Sequence, residues 1–344
     1  MKLGTGTVTK RPTLKTVAEK TGLAVTTVSK ALNGAPEIAA KTRLLVENAA
    51  REIGYVPDRA AQRLRTGKTN VISLVLSPHD EILGFSNSLT LGLSRALRGT
   101  NYNLLVTPSF EESTEIKTIE KIVRNKMADG IIFSRTEPFD ERVRFLIENG
   151  FPFVCHGRTE LSSKHSFVDY DNEEFARLAV SQLAAKGRKR LFAVMPDRKF
   201  TFYGHLKYGF TSAAADVGVS YAVPEEVNLD SAPDEIYACI AKHIEEGRSP
   251  DGYVCAGEVA AMTIMACLSD HNMMVGRDVD IVAKQTSRVF DHIRPRVDTI
   301  IENIAEAGAL MGEMLLDDIS NPNAIREGFV QRPEKEFPDL NPAG

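Results

Sequence analysis

Apolar residues first recur at helical spacing between Thr13 and Tyr55. Leu14, Val17 and Ala18 stand three and one apart, Thr21-Gly22-Leu23 interrupts them, and Val25, Val28, Ala31 and Leu32 resume the pattern. Helix, glycine-containing turn, helix is a helix-turn-helix signature. A third run over about 40–53 carries Leu44, Leu45, Val46, Ala49, Ala50 and Ile53, and predicts a helix that closes a three-helix core under the other two. The second helix is then free to lie in a major groove with its N-terminal residues at the base edges. Pro57 ends the third helix, because proline lacks the amide hydrogen and restricts the residue before it. Asp58 can cap the short segment that follows, which ends at Gly67. So short a helix is marginal alone in water and is expected to form only against a partner surface.

From Val71 the texture changes. VISLVL (71–76) is a continuous apolar run of the kind buried parallel strands show. Helix-like and strand-like stretches then alternate. Strands are predicted at 103–106, 130–133, 151–155, 190–195, about 226–229, 252–256, 279–283 and 299–301. Helices are predicted near 85–98, 112–126, 139–149, 172–186, 204–217, 233–246, 258–271 and 305–317. This alternation argues for βαβ units on open parallel sheets, and the pattern restarting near Asn172 suggests two similar lobes with a cleft between them. Ligands in such sheets bind outside the C-terminal strand ends. Those ends are Ser77-Pro78, Pro108-Ser109, Ser134-Arg135, His156-Gly157-Arg158, Pro196-Asp197, Gly257-Glu258 and Lys284-Gln285-Thr286, a polar set suited to a small-molecule cleft.

Charge separates the two parts. Residues 1–68 hold 13 Lys and Arg against 5 Asp and Glu, a net +8, and the remaining 276 residues hold 29 against 41, a net −12. A basic head on an acidic body favours a nucleic-acid reader over a generic three-helix docking domain. Residues 1–12 read as a disordered, weakly basic arm. No apolar run approaches the ~18 residues of a membrane span, and the N-terminus has no signal-peptide core, so a cytoplasmic, nucleoid-associated protein with no membrane partner is expected. The four cysteines (155, 239, 255 and 267) form no CxxC and have no histidine at zinc spacing. Phosphate-loop, dinucleotide, nucleophile-elbow and zinc-protease motifs are absent, so no enzyme, metal or cofactor is expected.

Several stretches resemble the lactose-repressor-like (LacI/GalR) transcription factors. They are TLKTVAEKTGLAVTTVSKALNG, Thr42-Arg43, GYVPDRAAQRLRTGKTNVISLV, HGR (156–158), VDYDN (168–172), LAAKGRKRLFAV and RPRVDTI (294–300). The resemblance spans nearly the whole chain. It implies a multidomain protein: an all-α helix-turn-helix head (13–57), a hinge helix (58–68) and an α/β core (69–344) of two periplasmic-binding-protein-like lobes with parallel sheets. Lobe 1 would be about 69–168 plus 295–330, and lobe 2 about 169–294. The implied partners are a palindromic double-stranded DNA operator, a sugar or sugar-derivative effector and a second copy of the chain. The family's tetramer-forming tail carries a leucine heptad, which RPEKEFPDLNPAG lacks, so a homodimer is expected.

The resemblance also implies residue roles. Val25 and Thr26 fall where the recognition helix reads bases, and Lys30 reaches bases or phosphate from the same helix. Thr27, Ser29 and Asn33 fall where the family holds the sugar-phosphate backbone, with Thr13 and Leu14 beside them on the DNA-facing side. Arg59, Ala61 and Leu64 fall on the hinge helix, Leu64 as a minor-groove wedge. In the core, the implied effector set is Ser77, Ser109, Ser134, Arg135, Arg158, Phe202, Leu206, Lys207, Glu258 and Gln285. Departures stand out. Ala24 and Ala39 replace N-capping serines, each worth about 1 kcal/mol. Leu206, with Lys207 beside it, stands where the family clamps its ligand with Arg, and Gln285 stands in AKQTS for the Asp of a GFDD-like motif. Donors would then outnumber acceptors, which favours an acidic or phosphorylated sugar over a neutral one. The overall expectation is an effector-controlled regulator, most simply a repressor of carbohydrate-use genes. A solute-binding protein or ligand sensor without a DNA role is the alternative.

Overall fold

The computed structural model describes residues 12–56, 63, 66–76, 84–109, 115–322 and 328–337. Arg59, Ala61, Leu64 and Ser77, most of the hinge segment and the N-terminal arm lie outside the described residues. The chain divides after Thr69 into two compact units.

The first unit packs three helices, α1 (Leu14–Thr21), α2 (Val25–Leu32) and α3 (Ala40–Glu52). Thr13 opens α1 with a reciprocal cap: its hydroxyl accepts from the Thr16 amide, and its own amide donates to Thr16 Oγ1 at 3.2 Å. Gly22 closes α1 in the left-handed region at φ 70°, which lets the chain turn directly into α2. Neither Ala24 nor Ala39 supplies a side-chain cap to α2 or α3. Val17, Ala18, Val28, Ala31, Val46, Ala49 and Ala50 form the core, with Leu14 and Ile53 packed against it. Leu44 and Leu45, expected in that core, are 58% and 51% exposed. The 3.6-residue repeat explains this: a face centred on Val46, Ala49 and Ala50 turns Leu44 to the opposite side and Leu45 to the flank.

In the second unit, one sheet has the order β11-β5-β4-β3-β1-β2 and the other β12-β10-β9-β8-β6-β7. The first sheet comprises β1 (Val71–Leu76), β2 (Asn103–Pro108), β3 (Gly130–Ser134), β4 (Phe153–His156), β5 (Phe167–Tyr170) and β11 (Gly328–Gln331). All its pairings are parallel. The second comprises β6 (Arg190–Val194), β7 (Ser220–Ala222), β8 (Gly252–Cys255), β9 (Asp280–Gln285), β10 (Asp298–Ile301) and β12 (Glu334–Glu336). There only β12 runs antiparallel, against β10. Helices α4 (Phe85–Ala96), α5 (Glu115–Arg124) and α6 (Glu141–Glu148) belong to lobe 1. Helices α7 (Asn172–Ala185), α8 (Thr201–Val217), α9 (Pro233–Glu245) and α10 (Glu258–Asp270) belong to lobe 2, and α11 (Ile304–Ser320) returns to lobe 1.

Two of the three crossings between lobes are built from strand ends that run directly into helix caps. β5 ends in lobe 1 at Tyr170, and Asp171 caps α7 of lobe 2 by accepting from the Glu174 amide at 3.0 Å. β10 ends in lobe 2, and Asn303 caps α11 of lobe 1 by accepting from the Glu306 amide at 3.1 Å. The third crossing runs from β11 to β12. The expected lobe limits therefore need correction. Residues 298–301 are a strand of lobe 2, the crossing falls at 302–303 rather than 295, and 334–336 returns to lobe 2. In lobe 1, α4 and α11 meet at small residues: a Cβ on Gly92 would stand 2.0 Å from the Ala305 carbonyl oxygen.

The strand expected near 226–229 is also absent, and β7 lies earlier, at 220–222. Val227 and Leu229 are both buried, so the alternation that suggested a strand is real. The segment has no strand beside it, however, and Leu229 makes one backbone bond, to the Met195 carbonyl at 2.9 Å. β5, β11 and β12 are strands that sequence periodicity did not announce, each only three or four residues long.

Candidate nucleic-acid interface and ligand cleft

On α2, successive residues advance by about 100°. Val28 and Ala31 are buried, Thr26, Lys30 and the half-buried Ser29 fall on the opposite face, and Val25 lies on the flank between the two. Val25 is 43% exposed, an apolar side chain left in solvent at the helix start. Thr27 is half-buried. Asn33, past the end of α2, is exposed and donates to the Ser29 carbonyl. Lys30 pairs with Glu37 at 3.0 Å, both largely exposed. The Glu37 carboxyl is held below its ordinary range by a backbone hydrogen bond and by Lys30. Thr13 is exposed and serves as the α1 cap, whereas Leu14 is half-buried against the head core.

The core holds a cleft of about 680 Å³ at the C-terminal strand ends, walled by both lobes. Lobe 1 contributes Phe85, Ser134, Arg135, Thr136, His156, Gly157 and Asp169. Lobe 2 and the crossings contribute Asn172, Pro196, Phe202, Leu229, Asp230, Ala256, Lys284 and Glu302. Gly157 sits at φ 110°, and any Cβ there would stand 2.5 Å from Thr136 Oγ1, which itself donates to the Arg158 carbonyl at 2.8 Å. Glycine is what lets these two strand-end loops touch.

The floor of the cleft is charged and built on the crossings. Lys284 is 4% exposed. Its Nζ lies 2.6 Å from Asn172 Oδ1, 2.9 Å from Glu302 Oε2 and 4.6 Å from the centre of the Tyr170 ring. Glu302 also faces His156 Nε2 at 3.7 Å, and His156 packs edge-on against Phe85. Tyr170 donates its hydroxyl to the Ile301 carbonyl at 3.1 Å. Burial, with Glu302, Asp171 and Glu334 nearby, raises its pKa well above the ordinary tyrosine value and keeps it a donor.

Of the expected effector residues, Ser134, Arg135 and Phe202 line the cleft. Ser77 lies outside the described residues, and the other six fall elsewhere. Arg158 does not line it but pairs with Asp169, which does. Ser109 is buried at the end of β2, its amide bonded to the Leu76 carbonyl at 2.8 Å. Leu206 is fully buried in the lobe 2 core, and Lys207 is exposed with its Nζ 5.5 Å from the Tyr203 ring centre. Glu258 is fully buried. Its carboxylate accepts from the amides and hydroxyls of Thr286 and Ser287 at 2.8–3.1 Å, which pins the loop after β9. Gln285 is fully buried and absent from the lining; the residue that faces the cleft is its neighbour Lys284, because successive strand residues point to opposite faces.

The premise for an acidic effector therefore fails. The two lining cations, Arg135 and Lys284, pair with the lining carboxylates Asp230 and Glu302, and Asp169 adds a third carboxylate. Sequence reasoning missed Asp169, Asn172, Asp230, Lys284 and Glu302 as a set. Two of them lie in VDYDN, where the resemblance was visible but the crossing was not.

A three-helix head with an exposed second-helix face, joined in one chain to a two-lobed core with a polar cleft, defines a ligand-responsive DNA-binding transcriptional regulator. Comparison with known proteins agrees. Residues 13–58 match the family described as bacterial regulatory proteins, lacI family, and residues 180–335 match the periplasmic binding protein-like domain. The HTH-type transcriptional regulator AglR of Rhizobium meliloti (strain 1021) is 29% identical over 338 residues, covering 93% of this chain and 92% of the relative. The regulator CelR of Thermobifida fusca is 25% identical over 316 residues, covering 90% and 93%. Among solved structures, the lac repressor dimer bound to operator and the anti-inducer ONPF aligns at a TM-score of 0.80 and 18% identity, covering 95% and 98%. A CelR–cellobiose complex aligns at 0.69 and 23%, covering 95% and 99%. The chain thus carries a lacI-type helix-turn-helix domain and a periplasmic-binding-protein-like domain, and lacI-family regulators are among its homologues. No helix among the described residues is long and apolar enough to cross a membrane.

Proposed function

We propose that the protein is a dimeric, cytoplasmic, nucleoid-associated repressor of carbohydrate-use genes, released from or fixed on a palindromic operator by a neutral oligosaccharide. The observation that carries the effector class is the cleft itself. It offers three carboxylates and two cations, with every one of these charges paired and Asp169 held by Arg158 outside the lining, together with the rings of Phe85 and Phe202. Carboxylates accept from sugar hydroxyls, apolar rings suit sugar C–H surfaces, and an added phosphate would find no unpaired lining cation among the described residues. The cellobiose in the CelR complex is of the same ligand class. On the DNA side, Val25 and Thr26 read bases, Lys30 reaches bases or phosphate, and Thr27, Ser29, Asn33, Thr13 and Leu14 fix the head on the backbone. Arg59, Ala61 and Leu64 serve the hinge by the family resemblance.

A thermal-shift panel tests the effector class. Neutral disaccharides such as cellobiose, sugar acids and sugar phosphates are compared on the full chain. A hundredfold excess over Kd adds about 2.7 kcal/mol of stability, and we expect that shift from a neutral member. Stabilisation by sugar acids or phosphates alone would overturn the assignment.

A further inference from the structure

The loop after β3 in lobe 1 reaches across to lobe 2 and is held there at three points. Arg135 forms an ion pair with Asp230, and its guanidinium lies 4.2 Å from the centre of the Phe200 ring. The next residue, Thr136, accepts at its carbonyl from the Thr201 amide at 2.9 Å and from Thr201 Oγ1 at 3.1 Å. Each side of this contact is prepared. Arg135 has a left-handed backbone at φ 59°, unusual for a residue with a side chain, and such strain persists only where surroundings enforce it. Here the enforcement is visible: Arg142 Nη2 donates to the Arg135 carbonyl at 2.8 Å, and Arg142 is itself fixed by Asp140 and Glu115. Across the cleft, the Asp230 amide donates to Asn228 Oδ1 at 2.7 Å, and the Asn228 amide to Ser231 Oγ at 3.1 Å. This turn presents the Asp230 carboxylate toward lobe 1. Phe200 is buried and stacks on Phe202, which lines the cleft.

We propose that Arg135 and Asp230 form a built-in clasp that holds lobe 1 against lobe 2 and so couples occupation of the cleft to lobe closure. The pair is well suited to this. Arg135 is 12% and Asp230 31% exposed in their side chains, so the pair is shielded enough to be little screened by salt yet close enough to solvent to part. Both residues also line the cleft, so a ligand filling it packs against the clasp from inside. The clasp acts through closure; its members are positioning residues. This assignment rests on the cleft being the effector site, but the closure it predicts is a property of the protein without sugar.

The test is a distance measurement between the lobes. Spin labels are placed at two exposed positions, Arg144→Cys in lobe 1 and Asp216→Cys in lobe 2. The four native cysteines are buried and leave the labelling specific. Labelled chain is diluted with unlabelled chain so that distances within one protomer are read by double electron–electron resonance. Arg135→Met, Asp230→Asn and the double variant should each shift the distribution to longer distances, Arg135→Met at least as far as Asp230→Asn because it also removes the contact with Phe200, and the double variant no further than Arg135→Met. Circular dichroism checks that each variant is folded, and the more exposed Asp230→Asn carries the test alone if Arg135→Met is not. Unchanged distances in a folded Asp230→Asn overturn the clasp whatever the sugar panel shows. Additive shifts would mean that the two residues hold the lobes through separate contacts, and would also overturn it.

Discussion

Replacing Arg142 with methionine is expected to destabilise the core by roughly 3–5 kcal/mol, the range for removing one partner of a buried charge group. Arg142 sits among Asp140, which is 2% exposed, and Glu115, which is 8% exposed. Its removal takes from two buried carboxylates the guanidinium that pairs with both. The pH dependence distinguishes this cause from simple loss of packing. Burial pushes the Asp140 carboxyl up, but hydrogen bonds and charge from Arg142, with the Glu137 and Arg142 amides, outweigh it and hold the pKa below its ordinary value. A carboxyl depressed in the folded state stabilises at pH values above its unfolded pKa and loses that contribution as pH falls through the folded one. The wild-type core should therefore lose stability below about pH 4, the ordinary Asp range. The deficit of the Arg142→Met variant should shrink over that window as Asp140 takes up a proton. Urea unfolding at pH 7 and pH 3.5 reads both effects. A deficit independent of pH would assign the loss to packing.

Lys284→Met is expected to cost a similar amount, roughly 3–5 kcal/mol, because it leaves Glu302 charged and 5% exposed beneath the cleft. Adding Glu302→Leu removes the stranded charge, so the double variant should recover most of the stability while losing effector affinity. The pair fills the cleft floor and sits beside two of the three crossings, through Asn172 after β5 and Glu302 after β10. If Lys284→Met alone were as stable as wild type, the buried pair would be a minor part of the hinge. If the double variant kept full sugar affinity, the floor would not read the ligand.

The head was legible because each of its signals is local. Helical spacing, the Gly22 turn and the run into α3 gave three helices within a residue or two, and only Leu44 and Leu45 were misplaced, since a run of adjacent apolar residues does not say which one a helix turns inward. The α/β alternation was equally local. The crossings were not. β5, β11 and β12 are too short to carry a period, and which sheet a strand joins depends on pairing partners far along the chain. That error passed to the cleft. Lys284 and Gln285 are adjacent, and choosing the one that faces the ligand requires the strand register, which no single-residue substitution pattern supplies. Asp230 was hidden for a related reason. It lies on a turn after a segment whose Leu229 amide bonds to the carbonyl of Met195, just past β6, and it meets Arg135 only because the two lobes face each other.

This chain is expected to grip DNA through the paired basic N-terminal segments of a dimer. An equilibrium titration of the full-length protein tests it most directly, using a palindromic duplex recovered by selection from random sequence and read by fluorescence anisotropy between 50 and 200 mM salt. Each phosphate neutralised contributes about −0.9 to the slope of log affinity against log salt, and Lys30→Ala should make the slope shallower by about one if Lys30 reaches phosphate. With a net +8 over residues 1–68 of each chain, a slope of about −6 or steeper is expected. A slope near −2, or a selection that recovers no palindrome, would contradict it.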